Sequence, residues 1–317
     1  MAATAAQLPK VPMIGKGSKG LLSRVQKMDA ASNPTLARVC SDEKLPNFEE
    51  GEHYQAVALE SGAERRDLPV WTSFPGAIKL EPKESLQSMR REEISGVNGG
   101  FVIHNVCTRG ECDQMVKLSE SMGYTEDAPV SLARHIRQNE NCVWLADKEL
   151  CDTLFERVKP FLPKEVAGGE AGGMNARWRL YKYGPQDIFK IHTDGSWPGS
   201  GLDERGRIVR DVYGDRWSQL TIVFYLNDEF EGGPTRFFFP TDRDANTYRT
   251  EEARAGVGGA VCFFHGEHPL SPLHEGGLVT KGTKYIIRSD LLYKLAPRGG
   301  NFQEQWIARY ANMPDDE

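Results

Sequence analysis

The chain has 317 residues, enough for one large domain with an extension and a sizeable core. Hydrophobic residues make up 39% and charged residues 26%, an ordinary globular balance. No apolar run approaches the roughly 20 residues that span a bilayer, which excludes a helical membrane protein and leaves no membrane partner to expect. The formal charge of −6 is uneven: residues 1–39 carry six basic side chains and one acid, and the remainder carries 33 basic and 44 acidic side chains. An acidic main body argues against a nucleic-acid backbone as partner.

Residues 1–28 hold no acid, several Lys and Arg, and a short amphipathic stretch around Leu21, Leu22, Val25 and Met28. An organelle transit peptide has that character, but Arg is scarce, and a basic tail is the plainer expectation. The six cysteines, Cys40, Cys107, Cys112, Cys142, Cys151 and Cys262, lack zinc-site spacing. They read as mostly reduced thiols of an intracellular, cytoplasmic protein, with Cys107 and Cys112 the pair close enough in sequence to bridge. Residues 1–95 lack periodic structure and read as an N-terminal extension, partly disordered. Residues 96–297 form the main domain and residues 298–317 a C-terminal tail. The oligomeric state leaves no mark in the sequence.

Gly100–His104 has the composition of a strand. A helix is expected from about Arg109 to Met122, with Met115, Val116, Leu118 and Met122 apolar. A second is expected from Asp147 to Phe161, where Leu150, Leu154 and Val158 recur every four residues, Asp147 caps and Pro163 terminates. After Gly173 the pattern turns to short β-rich runs: 178–183, 189–192, 220–226, 235–239, 260–264 and 284–293. Many short strands with Gly, Pro, Asn and Asp between them predict a mainly β sandwich or barrel with flanking helices.

His192 and Asp194 stand two residues apart in one such run, so in an extended chain they point to the same side. Two histidines and one carboxylate on one octahedral face suit Fe(II) and leave open positions. His265, His268 and His274 are the candidates for the third ligand. The plainer role of His265 and His268 is a polar loop between Phe264 and Leu273, and His274 is favoured by the stretch that follows it. There Lys284, Ile286 and Arg288 share one face of a strand, and a cation on an inward face is costly unless it meets an anion. The distal carboxylate of 2-oxoglutarate is such an anion.

The run Tyr183-Gly-Pro-Gln-Asp-Ile-Phe-Lys-Ile-His-Thr-Asp194 resembles the prolyl 4-hydroxylase-like branch of the 2-oxoglutarate/Fe(II) dioxygenases. That family's pattern is Tyr-x-x-Gly-Gln-x-aromatic-x-x-His-x-Asp. Tyr183, Phe189, His192 and Asp194 fall on it with unchanged spacing, while Gly184-Pro185 and Gln186-Asp187 depart from it. Tyr225-Leu-Asn227 and Gly232-Gly-Pro-Thr-Arg-Phe237 resemble two further family segments, with Pro234 in place of Glu. His274 and Lys284, ten residues apart, match the distal iron ligand and the 2-oxoglutarate-binding Lys.

The resemblance covers roughly residues 98–295 and implies a double-stranded β-helix, or jelly-roll, core. It implies His192, Asp194 and His274 as iron ligands and the catalytic centre, with Tyr183 and Lys284 binding 2-oxoglutarate. Arg288, on the same face as Lys284, is the departure: it is a second candidate for the 2-oxoglutarate carboxylate, and it would bind bidentately. The implied cofactors are Fe(II), 2-oxoglutarate and O2, with ascorbate as an accessory reductant. The implied reaction is decarboxylation of 2-oxoglutarate to succinate coupled to C–H hydroxylation, and the intact Asp194 favours hydroxylation over halogenation. The prime substrate is expected to be a peptidyl residue or a small amino-acid-like molecule. The loop from Gly195 to Trp217 is a candidate substrate lid, with Trp197 and Tyr213 as candidate contacts. Two alternatives stand beside this reading: a nucleic-acid demethylase of the same superfamily, and a non-catalytic jelly-roll binding module.

Overall fold

The computed structural model describes residues 32–127, 136–241 and 247–295, so the tail readings for 1–31 and 298–317 lie outside the described residues. The chain opens with α1 (Pro34–Ser41), where Asn33 accepts a hydrogen bond from Leu36 N at 3.1 Å and Pro34 starts the first turn. Then come β1 (Tyr54–Glu60), β2 (Leu68–Ser73), β3 (Arg90–Glu93) and β4 (Phe101–His104). The helix α2 (Arg109–Met122) has the bounds its periodicity predicts, and Thr108 and Glu111 close a capping box at its start. After β5 (Arg137–Gln138) and β6 (Glu140–Leu145), α3 (Lys148–Val158) begins at the expected cap, Asp147, and a 3-10 turn carries it to Phe161.

The β-rich half contains β7 (Glu165–Val166), β8 (Gly169–Met174), β9 (Arg177–Tyr183), β10 (Ile188–His192), β11 (Gly201–Leu202) and β12 (Ile208–Val209). It continues through β13 (Arg216–Tyr225), β14 (Phe230–Gly232), β15 (Thr235–Pro240), β16 (Tyr248–Ala253) and β17 (Ala260–Phe264). It ends with β18 (Leu273–Gly276), β19 (Val279–Gly282) and β20 (Lys284–Lys294). The six runs read from the sequence are β9, β10, β13, β15, β17 and β20.

Two sheets form the core. The major sheet runs β1-β2-β6-β9-β20-β13-β17-β4-β3 and is antiparallel except where β2 meets β6. The minor sheet runs β16-β15-β18-β10-β5. β20 shows how they pack. Its alternate residues Tyr285, Ile287, Leu291 and Tyr293 join the cluster that buries Met115, Leu118, Leu150 and Leu154 of the helices. Ile286 faces the other way and joins Tyr181, Val223 and Phe237 between the sheets. The helices therefore cover the outer face, and the inner face is closed by the minor sheet, with Phe237 and Phe263 edge-on at 5.3 Å. This is a jelly-roll arrangement with flanking helices.

The boundary expected at residue 95 falls inside this body. β1 and β2 extend the major sheet and β3 forms its opposite edge. Asn33 donates to the Tyr285 hydroxyl at 2.8 Å, and Asn227 donates to Thr35 at 2.8 Å, so α1 is held against the core. These elements escape periodicity because they are short. β3 reads Arg-Arg-Glu-Glu, a charged strand suited to a sheet edge.

All six cysteines are free thiols, Cys107 and Cys112 included. Beneath α2, Arg157 donates to both oxygens of Glu111 at 2.8 and 2.9 Å with neither side chain exposed beyond 2%. No helix among the described residues is long and apolar enough to cross a membrane.

Candidate metal centre

β10 and β18 are neighbours in the minor sheet, and their register sets His192 directly opposite His274. Phe189 pairs with Gly276, so three steps on β10 match two on β18. That bulge turns Phe189 and His192 to one side, and their rings stack at 3.6 Å. Asp194 follows two residues past His192. The ligand atoms of His192, Asp194 and His274 all lie within 4.8 Å of one another, the metal-type cluster among the described residues.

Both imidazoles are presented in the same way. His192 Nδ1 donates to Lys190 O at 2.7 Å and His274 Nδ1 donates to Pro272 O at 3.2 Å. A carbonyl only accepts, so Nδ1 carries the proton and Nε2 offers its lone pair. The Nε2 atoms lie 3.8 and 3.6 Å from the Asp194 oxygens. Burial pushes the pKa of His192 down to about 4, helped by His274, and burial lowers that of His274. Burial would raise the pKa of Asp194, but Arg288, His274, His192 and the Thr221 hydroxyl hold it well below the usual range. Two neutral imidazoles and an ionised carboxylate, all on one side, fit Fe(II).

The cavity beside them is also lined by Tyr183, Phe189, Lys284 and Arg288. Lys284 is 2% exposed and donates to Gly233 O at 2.7 Å. The rings of Tyr225 and Tyr183 lie 4.7 and 5.4 Å from its ammonium. Gly233, at φ +63°, makes this approach possible, because a Cβ there would stand 3.1 Å from the Lys284 stem. No acid pairs with Lys284 among the described residues, and burial, then the charge of Arg254, push its pKa down to about 7. Tyr183 is its cross-strand partner. A buried ammonium without a carboxylate, beside a phenol, fits the distal end of a dicarboxylate such as 2-oxoglutarate.

Arg288 sits differently. Its Nη2 is 3.3 Å from Asp194 Oδ2 and 3.0 Å from Asp290 Oδ1, so both local acids already face it. Across β9 its partner on the same face is Arg179. Arg179 has no ion pair or hydrogen bond among the described residues, and its guanidinium stands 5.5 Å from the Trp197 ring. Tyr213 packs under Arg216 at 4.2 Å; neither Tyr213 nor Trp197 lines the cavity.

His268 stacks on Phe264 at 3.8 Å, apart from the cluster. His265 is another matter. It is 1% exposed and bonded on both ring nitrogens, to Thr221 at 2.8 Å and Ser218 at 2.8 Å. The expectation of a polar loop residue is corrected there, because His265 directly follows β17 and its side chain is packed against β13. Ser218, Thr221 and Asp290 were also missed. Their signal was present: each is a small polar or acidic residue in a strand rich in apolar side chains.

No protein-family model matches the chain, and no curated protein matches it in sequence. Among solved structures it is similar to the viral collagen prolyl hydroxylase vCPH from Paramecium Bursaria Chlorella virus-1, in a 2OG complex. The identity is 18%, the match covers 63% of this chain and 100% of that chain, and the TM-score is 0.42. It is similar to a prolyl hydroxylase from Trichoplax adhaerens in complex with a hypoxia inducible factor peptide fragment, at 16% identity, 61% and 83% coverage, and a TM-score of 0.40. A 2OG-Fe(II) oxygenase family oxidoreductase from Burkholderia pseudomallei aligns at 10% identity, 64% and 89% coverage, and a TM-score of 0.36. At these values the functional reading rests on the chain's own residues.

Proposed function

We propose that the chain is an Fe(II)- and 2-oxoglutarate-dependent dioxygenase of the prolyl 4-hydroxylase-like kind. The observation that carries this reading is one cavity holding both a His192, Asp194, His274 cluster and a buried, acid-free Lys284. His192, Asp194 and His274 would hold the iron, and Lys284 with Tyr183 would bind the distal carboxylate of 2-oxoglutarate. Iron with 2-oxoglutarate and O2 supplies oxidative decarboxylation to succinate coupled to C–H hydroxylation.

The chain's own residues do the rest. The carbonyls of Lys190 and Pro272 hold both imidazoles in the ligating tautomer. Arg288 and Thr221 keep Asp194 ionised and oriented. Phe189 stacked on His192 and Phe263 at 4.5 Å from His274 pack against the two imidazoles. Arg288 is assigned to Asp194 rather than to 2-oxoglutarate, because Asp194 and Asp290 already neutralise it.

The prime substrate is a peptidyl residue or a small amino-acid-like molecule. Arg179 supports the second. It lies on the face of β9 that carries Tyr181 and Tyr183 into the cavity, and it forms no ion pair among the described residues. A substrate carboxylate would suit it. The first experiment is succinate formation by anaerobically iron-loaded protein given 2-oxoglutarate and O2 without a prime substrate. Slow succinate formation that disappears in His192→Ala and Asp194→Ala supports the reading. Absence of both succinate and 2-oxoglutarate binding returns the chain to a non-catalytic jelly-roll module.

A further inference from the structure

The Asp194 carboxylate is bonded unequally. Oδ2 accepts from the Thr221 hydroxyl at 2.7 Å and faces Arg288 Nη2 at 3.3 Å and His274 Nε2 at 3.6 Å, while Oδ1 faces His192 Nε2 at 3.8 Å. Thr221 has one hydroxyl proton. With that proton given to Asp194, its oxygen accepts from His265 Nδ1 at 2.8 Å. The neutral ring then accepts at Nε2 from the Ser218 hydroxyl at 2.8 Å, and Ser218 Oγ accepts from the backbone N–H of Trp197 at 2.8 Å. Every donor in this chain of four hydrogen bonds points toward Asp194.

The backbone is shaped for it. On β13, Ser218 pairs with Leu292 and Thr221 with Asp290, so three steps on β13 match two on β20. The irregularity at Gln219 brings both hydroxyls to the face where His265 lies; a regular strand would turn one of them away.

We propose that His265 is a positioning residue for the metal-ligating carboxylate. Through Thr221 it fixes a donor on Oδ2 and so the orientation of the Asp194 carboxylate toward the metal site, and through Ser218 it ties that carboxylate to the loop 195–217. This rests on the metal-centre reading above. A ligating carboxylate that is itself hydrogen-bonded is held in the orientation the metal needs.

Co(II) is the probe, added without 2-oxoglutarate to the full-length, metal-free protein, with affinity and visible absorption spectrum as readouts. Thr221→Val and His265→Leu are each expected to weaken binding about 10- to 100-fold and to alter the spectrum, as loss of groups that orient a ligand does. The double variant should be no weaker than the worse single, because both act along one path. His265→Gln, which can still donate to Thr221 and accept from Ser218, should recover most of the affinity and the spectrum. Wild-type affinity and spectrum in Thr221→Val and His265→Leu overturn the proposal, and so do fully additive losses. If His265→Leu does not fold, Thr221→Val, close to isosteric, decides alone. Wild-type protein that fails to bind Co(II), or His274→Ala that binds it unchanged, rejects the metal centre itself and the proposal with it. For the loop, Co(II) should slow tryptic cleavage after Arg205 and Arg207 in wild type and not in Ser218→Ala; equal slowing in both removes the link to the loop.

Discussion

His192 and His274 are direct cross-strand partners, 82 positions apart in the chain and 4.3 Å apart between ring centroids. The pairing of β10 with β18 therefore presents the two proposed ligands as one unit. Replacing either histidine by Ala is expected to abolish metal binding in a Co(II) titration. His268→Ala should bind as wild type, since its ring stacks on Phe264 outside the cluster. Equal loss in all three variants would refute the choice of His274.

Lys284 and Arg288 face the same cavity with different partners. Lys284→Ala is expected to weaken 2-oxoglutarate binding roughly 10- to 100-fold, the worth of a charge-assisted hydrogen bond. Arg288→Ala should change metal affinity rather than 2-oxoglutarate affinity, because it removes the group that orients Asp194. Calorimetric titration of Co(II)-loaded variants separates the two effects. A larger 2-oxoglutarate loss in Arg288→Ala would move the anchor to Arg288.

The buried ammonium also sets a pH dependence. Free of ligand, Lys284 loses its proton near pH 7, chiefly because burial disfavours its charge. The dianion binds the protonated form. Its dissociation constant is thus expected to be flat below pH 7 and to rise above it, by up to about tenfold per unit. Lys284→Arg should flatten the profile, because a guanidinium stays charged. A profile that does not change in that variant would detach the effect from Lys284.

Arg179→Met tests the substrate carboxylate. Slow succinate formation without prime substrate should be unchanged, while half-saturation for an amino-acid-like substrate should rise about tenfold or more. An unchanged substrate requirement would favour the peptidyl class.

Glu111 and Arg157 bear on stability alone. Arg157→Ala leaves the Glu111 carboxylate buried without its partner, and a loss of about 3–5 kcal/mol is expected in denaturant unfolding. Glu111 also closes the cap of α2, so a loss under about 1 kcal/mol would mean the site relaxes to admit water.

Local chemistry made much of this legible in the sequence. Helix α2 follows from its apolar positions Met115, Val116, Leu118 and Met122, and α3 from apolar residues every four positions and a cap at Asp147, features written within a few residues of each other. The triplet His192-Thr-Asp194 and the spacing from His274 to Lys284 were readable for the same reason. What the sequence left open was decided by pairing between distant strands. Which histidine joins the cluster depends on β10 lying beside β18, and which cation is free depends on Asp194 and Asp290 reaching Arg288. His265 looked like a loop residue because its partners, Thr221 and Ser218, come from another strand and reach it through a bulge that no periodicity reveals. The sheet contribution of β1, β2 and β3 was hidden likewise, since short strands acquire their meaning only from the neighbours that pair with them. Sequence alone determined the kinds of candidate ligand and their local spacing; tertiary structure decided which of them meet, because hydrogen-bonded register, not chain distance, brings side chains together.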